Sequence, residues 1–148
     1  IAADCNSTIS EMRCAVIIIS CVLVGCGSGS PFEYEKVSGK ITYEDGSPIP
    51  GNGLRLRFIA QDAPQVENAH PRPAFADVDA QGEFASVTSY KYGDGLIPGK
   101  HKVAIEKGGS PDARPAVPKE YLSISASPIT VDTADAPFHI KVPRPQRK

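Results

Sequence analysis

From Pro31 onward, apolar residues recur at every second position, and no stretch of ten or more residues combines a helical repeat with caps. Val37, Gly39, Ile41 and Tyr43 share one face, with Ser38, Lys40 and Thr42 on the other. Leu54, Leu56 and Phe58 alternate with Arg55 and Arg57. His101, Val103 and Ile105 alternate with Lys100, Lys102 and Glu106, and Phe138, Ile140 and Val142 alternate with His139 and Lys141. A period of two belongs to a strand whose alternate side chains enter a core while the others meet water. The chain is therefore predicted to be all-β.

Turn residues punctuate these runs. Glu44–Pro48 closes the first, Gly51-Asn52-Gly53 precedes the second, and Pro98-Gly99 launches the strand over 100–106. Asp79-Ala80-Gln81-Gly82 lies between 75–78 and 83–87 and reads as a hairpin turn. The 13 glycines, 14 prolines and absent tryptophan suit many short strands. The expectation is an antiparallel sandwich of about seven strands. Residues 61–73 and 107–120, the second with three prolines, are predicted to be surface loops. No internal repeat is found.

Cysteine usage divides the chain. Cys5, Cys14, Cys21 and Cys26 precede a stretch with none, so the folded part has neither a disulfide framework nor a cysteine zinc site. It must be held by its apolar core and hydrogen-bonded ladders.

The segment ending at Cys26 reads as an address. Arg13 supplies a positive start, and Ala15 to Val24 is almost wholly apolar. That run is shorter than the roughly 20 residues of a membrane-spanning helix and has the length of a signal-peptide core. It ends Leu23-Val24-Gly25-Cys26, which resembles the bacterial lipobox. The resemblance implies that the Cys26 thiol is joined to diacylglycerol, that the peptide is cut just before it, and that the new amino terminus is acylated. Gly27-Ser28-Gly29-Ser30 then reads as a flexible tether. Residues 1–11 fit poorly ahead of a signal peptide, and translation is expected to begin at Met12.

The predicted organisation is thus a leader over 1–11, a lipoprotein signal peptide over 12–25, a lipidated cysteine and tether over 26–35, a β-sandwich over 36–142 and a basic tail over 143–148. The whole chain has a formal charge of −1; loss of Arg13, Asp4 and Glu11 brings it to zero. A domain without a basic footprint is not built for nucleic acid.

Four segments taken in order carry a second resemblance: Val37-Ser-Gly-Lys-Ile-Thr-Tyr43, Gly46-Ser-Pro-Ile-Pro50, Asp77 to Phe84, and Pro98-Gly-Lys-His-Lys-Val-Ala-Ile105. Together they resemble the carboxypeptidase regulatory-like, or transthyretin-like, domains of bacterial lipoproteins. Pro118–Leu122 and Pro128–Asp132 are similar to the closing elements of that family. The resemblance covers 36–142. It implies a seven-stranded prealbumin-like sandwich serving as a structural or protein-interaction module of the cell envelope, without catalysis or cofactor. The hydrolases related to transthyretin end in a Tyr-Arg-Gly-Ser signature, whereas this chain ends Pro143-Arg-Pro-Gln-Arg-Lys148.

Other chemistry is weaker. Asp77-x-Asp79-x-Gln81-Gly82 echoes a calcium loop, but Thr88 stands where the twelve-residue loop places its bidentate glutamate, so a polar turn is expected. His70, His101 and His139 lack ligand spacing, and no Gly-x-Ser-x-Gly elbow exists, so neither a metal nor a catalytic site is predicted. Tyr90-Lys-Tyr92-Gly-Asp-Gly95 is the one aromatic loop suited to stacking on sugar rings. Covering the sandwich edge is the commoner use of such tyrosines. Arg144, Arg147 and Lys148 would touch anionic lipid or polysaccharide, or fray in solvent. The partners expected are membrane lipid through acylated Cys26 and an envelope protein or polysaccharide.

Overall fold

A computed structural model describes residues 29–50, 53–109 and 114–146. The lipobox residues Leu23, Val24, Gly25 and Cys26 lie outside the described residues, as do Arg147 and Lys148. Seven strands follow in order: β1 (Gly39–Tyr43), β2 (Leu54–Ala60), β3 (Ala74–Val78), β4 (Glu83–Phe84), β5 (Lys100–Lys107), β6 (Thr130–Asp132) and β7 (Phe138–Val142). Single 3-10 turns occupy Lys119–Leu122 and Thr133–Asp135. The strands form two sheets, a three-stranded one ordered β4-β1-β7 and a four-stranded one ordered β3-β2-β5-β6.

The period-two reading locates the core. Leu54, Leu56 and Phe58 of β2, Ala74, Ala76 and Val78 of β3, Val103 and Ile105 of β5, and Phe138, Ile140 and Val142 of β7 are all buried in one cluster with Ile41 and Tyr43. Phe58 joins the two sheets. Its ring lies 6.2 Å from that of Phe84 on β4 and 6.3 Å from that of Phe138 on β7, tilted against both, the geometry aromatic pairs prefer.

Four expectations are corrected. The three-stranded sheet is mixed, because β1 pairs with β7 in parallel, Gly39 opposite Phe138 through Tyr43 opposite Val142. Alternation records which face a residue takes, not the direction of the neighbouring strand. Next, the turn at 79–82 does not join partners in one sheet. β3 pairs with β2, whereas β4 pairs with β1, so the turn carries the chain from one sheet to the other. Asp79 Oδ1 organises it by accepting the amide hydrogens of Gln81 (2.9 Å) and Glu83 (2.8 Å). Gly82, at φ +83°, presses so close to the Ile41 carbonyl that a Cβ there would sit 2.2 Å away. Thr42, expected on the wet face, is buried for the same reason, since that turn lies against its methyl. Lastly, the segment after β5 is not purely surface: Val117 enters the core and the Ala116 carbonyl accepts the Tyr43 hydroxyl at 2.5 Å.

Along the strands, β2 ends beside the start of β5, Ala60 opposite His101, and β6 ends beside the same point, Lys100 opposite Asp132. β3, β1 and β7 begin at that end as well. Residues 61–73, 85–99 and 133–137 therefore share one end of the fold with the chain entering at Gly29. The turns at 44–47 and 79–82 share the other.

Candidate functional site

The aromatic loop is built by one carboxylate. Asp94 accepts the amide hydrogens of Ser89 (2.7 Å), Tyr90 (2.9 Å) and Lys91 (2.7 Å). Thr88 Oγ1 accepts the Gly93 amide at 3.0 Å, and Ser89 Oγ donates to the Gly95 carbonyl at 2.6 Å. Charge-assisted bonds from three successive amides to one side chain make a rigid turn. Backbone bonds fasten that turn at both ends, Thr88 to Phe75 and Gly95 to Val87.

Rigidity does not make the two tyrosines one platform. Tyr90 is half-buried, with the Arg72 guanidinium 4.9 Å from its ring centre, a distance at which cation and ring attract. It lines a groove of about 280 Å³ with Phe32, Tyr34, His70 and Arg72. Tyr92 is 92% exposed. It borders a different groove, of about 540 Å³, between β3 and β4, beside Arg55, Phe75, Asp77 and Thr88. There Arg55 Nε meets Asp77 at 2.8 Å and its guanidinium lies 5.8 Å from the Phe75 ring centre. An aromatic face beside an ion pair, with a second, exposed ring at the rim, suits a flat polar ligand better than an apolar one.

The acidic residues of the turn are committed elsewhere: Asp77 to Arg55, Asp79 to backbone amides, Glu83 to Lys40 at 3.1 Å. Among the described residues no three His, Cys, Asp or Glu side chains gather in a way that would hold a metal ion. The three histidines are scattered. His70 borders the Tyr90 groove, His139 is exposed on β7, and His101 is buried on β5. His101 Nδ1 bonds the Gly99 carbonyl at 3.1 Å, and burial pushes the ring toward its neutral form against that bond and the Asp132 charge.

The entering chain is held more closely than a Gly/Ser run suggests. Ser30 Oγ and the Tyr34 hydroxyl are 2.6 Å apart, Phe32 is buried, and Glu35 and Leu96 exchange both backbone bonds at 2.7 and 2.9 Å. The sequence signal for this strap was present in Phe32 and Tyr34, two rings in a segment otherwise read as tether. Gly95 explains the fit. At φ +107°, it lets the Glu35 carbonyl approach to where a Cβ would be only 1.8 Å away. Among the described residues no helix is long and apolar enough to cross a membrane.

The chain matches no protein-family model, no curated protein and no solved structure.

Proposed function

We propose that this chain is a bacterial lipoprotein whose two-sheet domain is a non-catalytic structural or protein-interaction module, held at an envelope membrane by acylated Cys26. The observation that carries the reading is the Leu23-Val24-Gly25-Cys26 sequence closing an apolar run that is too short to span a bilayer. Two or three acyl chains hold a protein stably, because each buried methylene contributes about 0.8 kcal/mol and a single chain is marginal. The order of motifs from Val37 to Ile105 supports a carboxypeptidase regulatory-like, prealbumin-like topology for the domain.

The test is acyl labelling of the full chain in a bacterial host. Label and membrane retention that both disappear with Cys26→Ser support the anchor. Label persisting on that variant refutes it. Affinity capture from detergent-solubilised envelopes, repeated against envelope polysaccharides, then separates a protein partner from a glycan. The glycan reading rests on one feature, the exposed Tyr92 ring beside the Arg55–Asp77 groove. Saturable sugar binding that is lost with Tyr92→Ala would favour it over a protein partner.

A further inference from the structure

We infer that the domain lies end-on against the lipid bilayer, with the Ser30–Glu35 strap, the loop over 61–73 and the Ile97-Pro98 corner facing the headgroups. This rests on the lipidation of Cys26 proposed above. The argument is one of reach. Gly29 is three residue steps from Cys26, and three steps span at most about 11 Å when fully extended. Gly29 already borders the groove that holds Arg72 and Tyr90, and Phe32 and Glu35 are fastened to the fold. The eight residues of β5 measure about 26 Å. A leash of about 11 Å is too short for a body of that length to turn over, so the end where the chain enters stays next to the acyl chains. The turns at 44–47 and 79–82 then point away from the membrane.

Charge is not what holds this face. Arg72, His70 and Lys91 sit at that end among Glu33, Glu35, Asp62, Glu67 and Asp135, all exposed, so attraction to anionic lipid is offset by repulsion. Pro31, Pro64 and Pro98 are exposed around the small groove over Phe32 and Ile97, with Glu33 at its side, and present a stiff surface. The orientation is therefore independent of salt and of anionic lipid content, and it depends on leash length.

The experiment uses the full lipidated chain in phosphatidylcholine vesicles containing a headgroup-nitroxide lipid. Two positions carry a fluorophore in separate preparations, Gln65→Cys at the entering end and Ala80→Cys at the far turn; the acylated Cys26 has no free thiol to compete. Both positions are exposed. We expect quenching at least threefold stronger at 65 than at 80, unchanged by salt. Ten Gly/Ser residues inserted after Gly29 add up to about 35 Å of reach and should collapse that difference. Equal quenching at both positions on vesicle-bound protein, stronger quenching at 80, or a difference that survives the insertion would overturn the inference while leaving the anchor intact. Protein that carries no acyl group and fails to bind vesicles overturns the anchor itself, and this inference with it.

Discussion

The guanidinium of Arg144 lies 4.4 Å from the centre of the Tyr43 ring. Arg144 follows β7 and Tyr43 closes β1, so the contact fastens the end of the parallel pair. The same guanidinium reaches Asp45 at 2.8 Å and Ser47 Oγ at 2.8 Å, tying the chain's last described stretch to the first turn. The tail expected to fray is thus engaged at its first cation. An exposed cation–ring contact contributes about 0.5–1 kcal/mol. Arg144→Ala should lower Tm by about 2–5 °C, and Arg144→Lys should recover only part of that, since an ammonium cannot lie flat on the ring and fork to a carboxylate. Thermal unfolding followed by circular dichroism reads both; an unchanged Tm for Arg144→Ala would mean the contact contributes nothing.

Asp45 predicts the acid limb of the stability curve. The Ser47 hydroxyl and amide, then Arg144, hold its carboxyl well below the usual carboxylate value of 3.8. A carboxylate whose folded pKa is depressed stabilises the fold fully above the unfolded pKa, and that stabilisation fades as pH falls below it. Asp45→Asn should therefore lower Tm most at pH 6, by progressively less as pH falls toward 2.5 and with part of the effect still present there. A constant difference across that range would assign the effect to lost hydrogen bonds rather than to charge.

His101 adds a loss of the same sign at higher pH. Burial favours its neutral ring, so the folded pKa lies below the usual 6.5. The unfolded chain takes up the proton first, and stability falls as pH drops through 6.5. Comparing Tm between pH 7.5 and 5.5, the wild-type chain should lose more than His101→Gln does. Parallel slopes would show that His101 is protonated in the fold at no cost.

What was legible in the sequence follows from these contacts. The faces of β2, β5 and β7 could be read because water on one side of a strand and core on the other impose alternation residue by residue. The direction in which β7 runs beside β1 could not, since both directions bury Phe138, Ile140 and Val142. Nor could the passage of 79–82 between sheets, because Asp79 and Gly82 supply the same turn chemistry whichever strand follows. Site geometry was the least legible. Tyr90 and Tyr92 are two residues apart, yet Arg72, 18 positions earlier, claims one ring, while the other stands exposed at the rim of the groove between β3 and β4. Such pairings are set by long-range packing, which no local pattern encodes.

The join between the sheets carries a large share of stability. Phe58 is fully buried between Phe84 and Phe138. Phe58→Ala removes contacts with both and leaves a cavity, at a cost of about 3–5 kcal/mol. Phe58→Leu, which keeps most of the volume, should cost less than half of that. Urea unfolding of the soluble domain would check the order; equal losses would mean that the surrounding residues collapse into the space.

Gly95 and Gly99 form a controlled pair for the strap that brings the chain onto the fold. Both have positive φ, +107° and +116°, so alanine at either is strained by about 1–3 kcal/mol. Only at Gly95 would the new Cβ strike backbone, the Glu35 carbonyl at 1.8 Å; at Gly99 it meets open space. Gly99→Ala should thus show backbone strain alone, while Gly95→Ala should in addition break the Glu35–Leu96 pairing and release residues 30–35. Hydrogen exchange at the Glu35 and Leu96 amides separates the two effects. Fast exchange at both in Gly95→Ala, with protection kept in Gly99→Ala, is the expected result. Protection retained in both would mean that the strap is held by Phe32 and Tyr34 rather than by the close backbone approach. Because the strap also sets the leash length, Gly95→Ala should loosen the orientation on vesicles as well, weakening the contrast between positions 65 and 80 without detaching the protein from the bilayer.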